Sequence, residues 1–211
     1  NDLIRFEGNA NAFRLLTHRF HGRREGGFVM TYATLASIVK YPFESHWAGT
    51  HGKFGFFCFE RGAFRRIADE LGLLRLSADG EPLRYARHPL VYLVEAADDI
   101  CYEIMDIEDS HKLKILSYEE TADLLLGFFD TEMQEKIRQR AKEEGVSDEN
   151  EEVVYMRACV IGRLEKACVK AFIDHEEEIL NGTFEGSLIN HAEPLVRDAY
   201  RRCQALSVKK I

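Results

Sequence analysis

Between Glu95 and Asp109 the chain carries seven acidic residues and no basic one, on a stretch otherwise apolar enough to be a core helix. The stretch that holds this run begins at His88-Pro-Leu-Val and ends at Asp-Ile-Glu-Asp109. Helical spacing puts Asp98, Tyr102 and Asp106, at i, i+4 and i+8, on one narrow face. Leu93, Ala97, Ile100, Ile104 and Ile107 form the opposite stripe, which should face a core. Carboxylates this dense repel one another unless a cation compensates, and a metal ion is one way to supply it. Two readings stand here. A charged run on a helix commonly means only a solvated face. The bordering Val91, Val94 and Met105 narrow the acidic strip, which suits the wall of a cleft instead.

The remainder of the chain reads as helical. The 211 residues could bury a sizeable core as one domain, with a hydrophobic content of 45% and a charged content of 30%, both globular values. Apolar periodicity places helices near 4–20, 31–40, 60–72, 89–109, 117–126, 130–145, 151–181 and 192–206. Ser117-Tyr-Glu-Glu and Asp130-Thr-Glu look like capped helix starts with acids in the first turn. Arg23 to Gly27 and Ala78 to Glu81 read as turns, and the acidic, Gly-broken Lys142 to Glu152 as an exposed loop. Gly27 to Met30 is at most a short strand. The expectation is an all-α, multi-helix chain with little or no strand, forming a single helical domain portion over 1–211.

Charge and cysteines exclude some functions. A net charge of −8 does not suit a nucleic-acid binder by bulk attraction. Local basic runs at His18 to Arg24 and Arg197 to Arg202 read as solvated helix ends or ion-pairing surfaces, and the first could face a phosphate. Cys58, Cys101, Cys159, Cys168 and Cys203 lack CxxC spacing and read as reduced, mostly buried thiols of a cytoplasmic protein. No apolar run approaches the ~20 residues that a membrane span needs.

Several motifs add a family resemblance. Tyr92-Leu-Val-Glu-Ala-Ala-Asp-Asp-Ile-Cys-Tyr-Glu-Ile-Met-Asp106 resembles the late metal-binding helix of the dGTPase-like deoxynucleoside triphosphate triphosphohydrolases, within the HD superfamily. Phe6-Glu-Gly-Asn-Ala-Asn to Leu-Leu-Thr17, Thr31-Tyr-Ala-Thr-Leu-Ala to Lys40-Tyr-Pro42, and Lys53-Phe-Gly-Phe-Phe57 resemble three further segments of that family, in the family's order. The run from Ala171 to Leu188 is similar but less specific.

The resemblance implies an HD-type helical fold and hydrolysis of a dNTP, dGTP first, to deoxynucleoside and tripolyphosphate. It implies a divalent cofactor, Mg²⁺ or Mn²⁺, with Asp98 as the late ligand and Asp99 outside the ligand set. It further implies that Tyr102 and Asp106 read the deoxyribose, Asp106 accepting from the 3′-OH. Lys40 becomes a triphosphate contact, Tyr41 a pocket wall, Asn9 a hydrogen-bonding group and Arg157 a contact near the phosphate tail. Glu7 either supports a catalytic His or is structural, whereas Lys53, Phe54, Phe56 and Phe57 belong to a core or a subunit interface. Residue types alone allow blander roles: Tyr102 packing, Asp106 pairing with a neighbouring helix, and Lys40 stabilising a helix end.

Such an enzyme takes its metal from an early His, a His-Asp dipeptide and a late Asp. None of the eight histidines here is followed by Asp. The expectation is therefore the C-terminal part of a longer enzyme, with catalytic residues upstream and the N-terminal part of the same enzyme as a partner. A homo-oligomer and a single-stranded DNA effector follow from the same resemblance. Two other functions stay open: an HD phosphohydrolase for another nucleotide, and a non-catalytic nucleotide-binding or helical interaction module.

Overall fold

The computed structural model describes Asp2 and residues 6–19, 21–22, 27–49, 52–143, 145 and 148–210, the side chains of 207–210 excepted. Among them are nine α-helices and three isolated β-bridges, Phe43 with Arg84, Glu44 with Phe56 and Arg75 with Tyr85, but no sheet. The chain is all-α. The start of the helix expected at 4–20, part of the basic run 18–24, the turn before Gly27 and the middle of the acidic loop after Lys142 lie outside the described residues.

Two compact units divide the chain. The first takes in residues 1–95 and 175–185, with α1 (Gly8–Thr17), α2 (Tyr32–Ser37), α3 (Arg61–Leu71), the opening turns of α4 (Pro89–Lys112) and α8 (Glu176–Leu180). Its core is aromatic. Phe56 stacks on Phe64 at 4.3 Å between ring centroids, and Phe13 meets Phe64 edge-on at 5.6 Å. Each such ring, fully buried, contributes about 1.5–3 kcal/mol by leaving water. Gly55, inside Lys53-Phe-Gly-Phe-Phe57, is required by close approach: a Cβ there would collide with the Tyr41 carbonyl and the Val39 side chain.

The second unit takes in 96–174 and 186–211, with the rest of α4, α5 (Tyr118–Leu126), α6 (Thr131–Glu143), α7 (Glu149–Asp174) and α9 (Pro194–Lys210). α5 and α6 pack on α7, whose buried residues Val153, Met156, Val160, Leu164, Cys168 and Ala171 recur every three or four positions. Ser117 and Glu120 close a reciprocal capping box at the start of α5, and Asp130 accepts from the Met133 amide at 2.8 Å at the start of α6.

Several sequence expectations need correction. The helix expected over 31–40 ends at Ser37 with Ile38 as its C-cap, and Tyr41, held extended by the following Pro42, could not have continued it. The segment expected as one helix over 151–181 breaks at His175, whose backbone (φ −115°, ψ 19°) leaves the helix. Gly27 to Val29 form a turn, not a strand. On α4 the buried line runs through Tyr92, Ala96, Ile100, Ile104 and Ile107, so Ala96 and not Ala97 faces inward.

Candidate functional site

α4 begins on Pro89, a residue suited to the first helical position because it has no amide hydrogen to satisfy there. The His88 imidazole Nδ1 accepts from the Leu90 amide at 3.2 Å beside it. From this start the helix divides its acids into two groups.

The flanking acids are buried under cations. Glu95 receives Lys40 at 2.8 Å and Arg87 at 3.0 Å. Glu108, with 3% of its side chain exposed, receives Lys112 at 2.5 Å and Arg157 at 2.8 Å. The Arg157–Glu108 approach is a charge contact, not an aligned hydrogen bond. Arg157 also lies 3.2 Å from the Met105 sulfur.

Asp98 and Asp106, which lie between them, have no such partner among the described residues. Asp98 is exposed, Tyr102 is 70% exposed and Asp106 is half-buried. Among the described residues none of these three side chains has a hydrogen bond or an ion pair. Neither bland expectation, Tyr102 packing or Asp106 paired to another helix, is seen among those residues. Asp99 is different: its carbonyl accepts from the Tyr200 hydroxyl at 3.2 Å, and burial together with the Asp99 charge pushes that phenol's proton affinity up.

Asp98 suits a divalent cation in donor type, since hard ions favour carboxylate oxygen and no protein cation competes for it among the described residues. It cannot complete a centre with its own helix. Asp106 lies eight residues on, about 12 Å along the axis, too far to share one ion with Asp98. A metal at Asp98 needs further ligands from elsewhere.

The remaining sequence-named residues in the first unit have partners of their own. Lys40 lies beyond the end of α2 and holds Glu95. The Tyr41 ring sits 6.1 Å from that of Phe43. Asn9 donates its amide to Glu7 at 3.1 Å. Glu7 is buried, caps α1 by accepting from the Ala10 amide at 3.0 Å, and faces Lys53 at 3.6 Å. Phe54, Phe56 and Phe57 are core residues.

Two features escaped sequence reasoning. A cavity of about 450 Å³ in the second unit is lined by Met133, Ile137, Arg140, Gly162, Arg163 and Lys166 among others, and none of the sequence-named site residues reaches it. In the first unit Glu44, His46 and Cys58 bring one carboxylate, one imidazole and one thiol within 4.8 Å of one another. Their only sequence signal is a Glu-x-His followed by a Cys twelve residues on, too sparse to notice.

No family model matches the chain. Curated proteins do, over most or all of it. The chain is 35% identical over its whole length to a deoxyguanosinetriphosphate triphosphohydrolase-like protein of Pseudomonas aeruginosa, covering 47% of that protein. It is 37% identical over 89% of its length to a protein of the same description from Synechocystis, covering 42% of it. A deoxyguanosinetriphosphate triphosphohydrolase of Yersinia enterocolitica is 30% identical over 92% of the chain, which covers 39% of that enzyme. The chain thus spans about half the length, or somewhat less, of the curated relatives it matches.

Proposed function

We propose that this chain, homologous over its whole length to the deoxyguanosinetriphosphate triphosphohydrolase-like proteins, supplies the late metal ligand and the sugar-reading face of a dNTP triphosphohydrolase. The observation that carries this reading is the division of α4. Its own protein cations neutralise Glu95 and Glu108, and the face of Asp98, Tyr102 and Asp106 is left without partners among the described residues. A bare carboxylate and a bare carboxylate–phenol pair, one and two turns further on, are groups waiting for a ligand that brings its own cation and hydroxyl.

In this reading dGTP is the first substrate, and the products are deoxyguanosine and tripolyphosphate. Asp98 would hold a divalent ion, Mg²⁺ or Mn²⁺, which when bound supplies charge neutralisation at a phosphate oxygen. Asp106 accepts the 3′-OH, and Tyr102 packs along the sugar and donates its hydroxyl. One helical turn, ~5.4 Å, suits the distance from an α-phosphate to the sugar ring. Asn9 and Tyr41 contact substrate. Lys40 and Arg157 engage the triphosphate by exchanging their present carboxylate partners for phosphate oxygens.

The histidine ligands and the acid–base groups belong to a segment carrying a His and a His-Asp dipeptide, which this sequence does not contain. That segment is its partner. A homo-oligomeric assembly belongs to this reading, which the exposed Val169 and Ile173 on α7 support, and so does a single-stranded DNA effector, which rests on the family resemblance alone. None of the described helices is long and apolar enough to cross a membrane, and cysteines held as thiols rather than disulfides suit the cytoplasm.

The test is an assay of tripolyphosphate release from dGTP with Mn²⁺. The purified chain alone should give none, and adding a protein bearing the His and His-Asp segment should restore it. Turnover by the chain unaided would sink the reading.

A further inference from the structure

We propose that Glu44, His46 and Cys58 form a binding site for a zinc-class divalent cation, distinct in ligand chemistry from the all-oxygen donor at Asp98. Local structure assembles it. Glu44 bridges Phe56 and precedes the 3-10 turn Ser45–Trp47, so His46 returns to the same side two residues later. The bridge to Phe56 brings up the next 3-10 turn, which opens on Cys58. Cys58 Sγ lies 3.1 Å from His46 Nδ1, and His46 Nδ1 lies 3.9 Å from Glu44 Oε2. Donor atoms around a tetrahedral zinc stand roughly 3.3–3.6 Å apart, and the two observed distances bracket that spacing.

The donor set selects the ion. Thiolate and imidazole favour zinc over Mg²⁺ or Mn²⁺, which take oxygen ligands. Three protein donors leave a fourth position, and the exposed His46 marks its solvent side. The local field is attractive to a cation. Asp2 Oδ1 lies 2.5 Å from Ser45 Oγ, which is 3.2 Å from the sulfur, so a second carboxylate stands behind the thiol.

The competing cation is Arg61, whose Nε and Nη2 donate to Glu44 Oε2 at 2.9 and 2.6 Å. Its side chain is half exposed and can turn into water, leaving Glu44 anchored by the Leu83 amide. Zinc uptake exchanges the Arg61 contact for a metal–oxygen bond. It also replaces the S–H bond with a metal–sulfur bond and releases that proton to solvent.

The experiment titrates the purified protein with Zn²⁺ against a chromophoric chelator, and separately with Co²⁺ read by its thiolate charge-transfer absorption. One Zn²⁺ per chain is expected. Cys58→Ser should abolish the charge-transfer band, and both Cys58→Ser and His46→Ala should weaken Zn²⁺ binding at least tenfold, an order seen when metal sites lose even an outer partner. Circular dichroism melts check that both variants fold. Asp98→Asn should leave the site intact, which separates it from the proposed catalytic metal. No stoichiometric Zn²⁺ binding, binding indifferent to both substitutions, or a thiolate band that follows Cys101→Ser instead would overturn the proposal, leaving a hydrogen-bonded thiol and a structural Glu44–Arg61 pair.

Discussion

Glu95 and Glu108 lie near the two ends of the acidic run on α4, and each is buried against two cations from the protein. Asp98 and Asp106, between them on the same helix, have no such partner among the described residues. Proximity on one helix does not explain the difference, since all four belong to one dense acidic run. The flanking pair faces inward, where an uncompensated carboxylate would cost several kcal/mol, so folding must supply a counter-charge. The central pair faces out, where water suffices and a site can be kept open. An acidic run can thus hold a structural part and a ligand-ready part, and only the counter-cations tell them apart.

The hardest test of that division is chemical. In an active assembly with the His and His-Asp segment, Asp98→Asn should abolish turnover and weaken Mn²⁺ binding by more than the ~10–100-fold that loss of an outer-shell partner costs. Asp99→Asn, one position round the helix, should be far milder. Comparable losses at the two positions would mean that the ligand has been misassigned.

The sugar-reading half can be tested separately. Asp106→Ala should weaken apparent dGTP binding by about 1–3 kcal/mol, roughly tenfold to a hundredfold, by leaving the 3′-OH unpaired. With 2′,3′-dideoxy-dGTP, which has no such hydroxyl, the penalty should shrink. An equal penalty for both nucleotides would make Asp106 structural.

How much of this could be read in the sequence follows the range of the interactions. Elements set by neighbours were legible: the Ser117–Glu120 capping box, the Asp130 cap and the length of α4 follow from residues within a few positions. The α4 register was less so. Ala96 and Ala97 carry the same weak burial drive, so alternation alone could not choose between them, and tertiary packing chose Ala96. The site was legible as a face but not as a division. Which acids are neutralised depends on Lys40 and Arg157, far away in sequence, and periodicity carries no information about them. The Glu44, His46 and Cys58 cluster is brought together by an isolated bridge that no local pattern announces.

The structural half of the comparison predicts a stability effect with no ligand present. Arg157→Met keeps much of the packing volume but leaves Glu108 buried against Lys112 alone. A loss of about 1–3 kcal/mol is expected, read as a lower urea midpoint with an unchanged slope. A neutral outcome would show that Lys112 suffices and that Glu108 is no more constrained than the central acids.

The smallest expected effect is the most discriminating for the central acids. Asp106→Asn in the ligand-free chain removes a charge that has no ion pair among the described residues. It also relieves the repulsion of like charges at helical spacing, Glu103 at i−3 and Asp109 at i+3. Such repulsions cost a few tenths of a kcal/mol each, and salt screens them. Thermal stability should therefore change by less than about 0.5 kcal/mol, in the stabilising direction at low salt, with the gain fading as salt is added. The same change at Glu108 should go the other way, because its charge answers Lys112 and Arg157. If Asp106→Asn instead destabilises the chain by more than about 1 kcal/mol at every salt concentration, its carboxylate is holding the fold together. The central face would then be structural like its flanks, and the case for a ligand-ready Asp106 would fail.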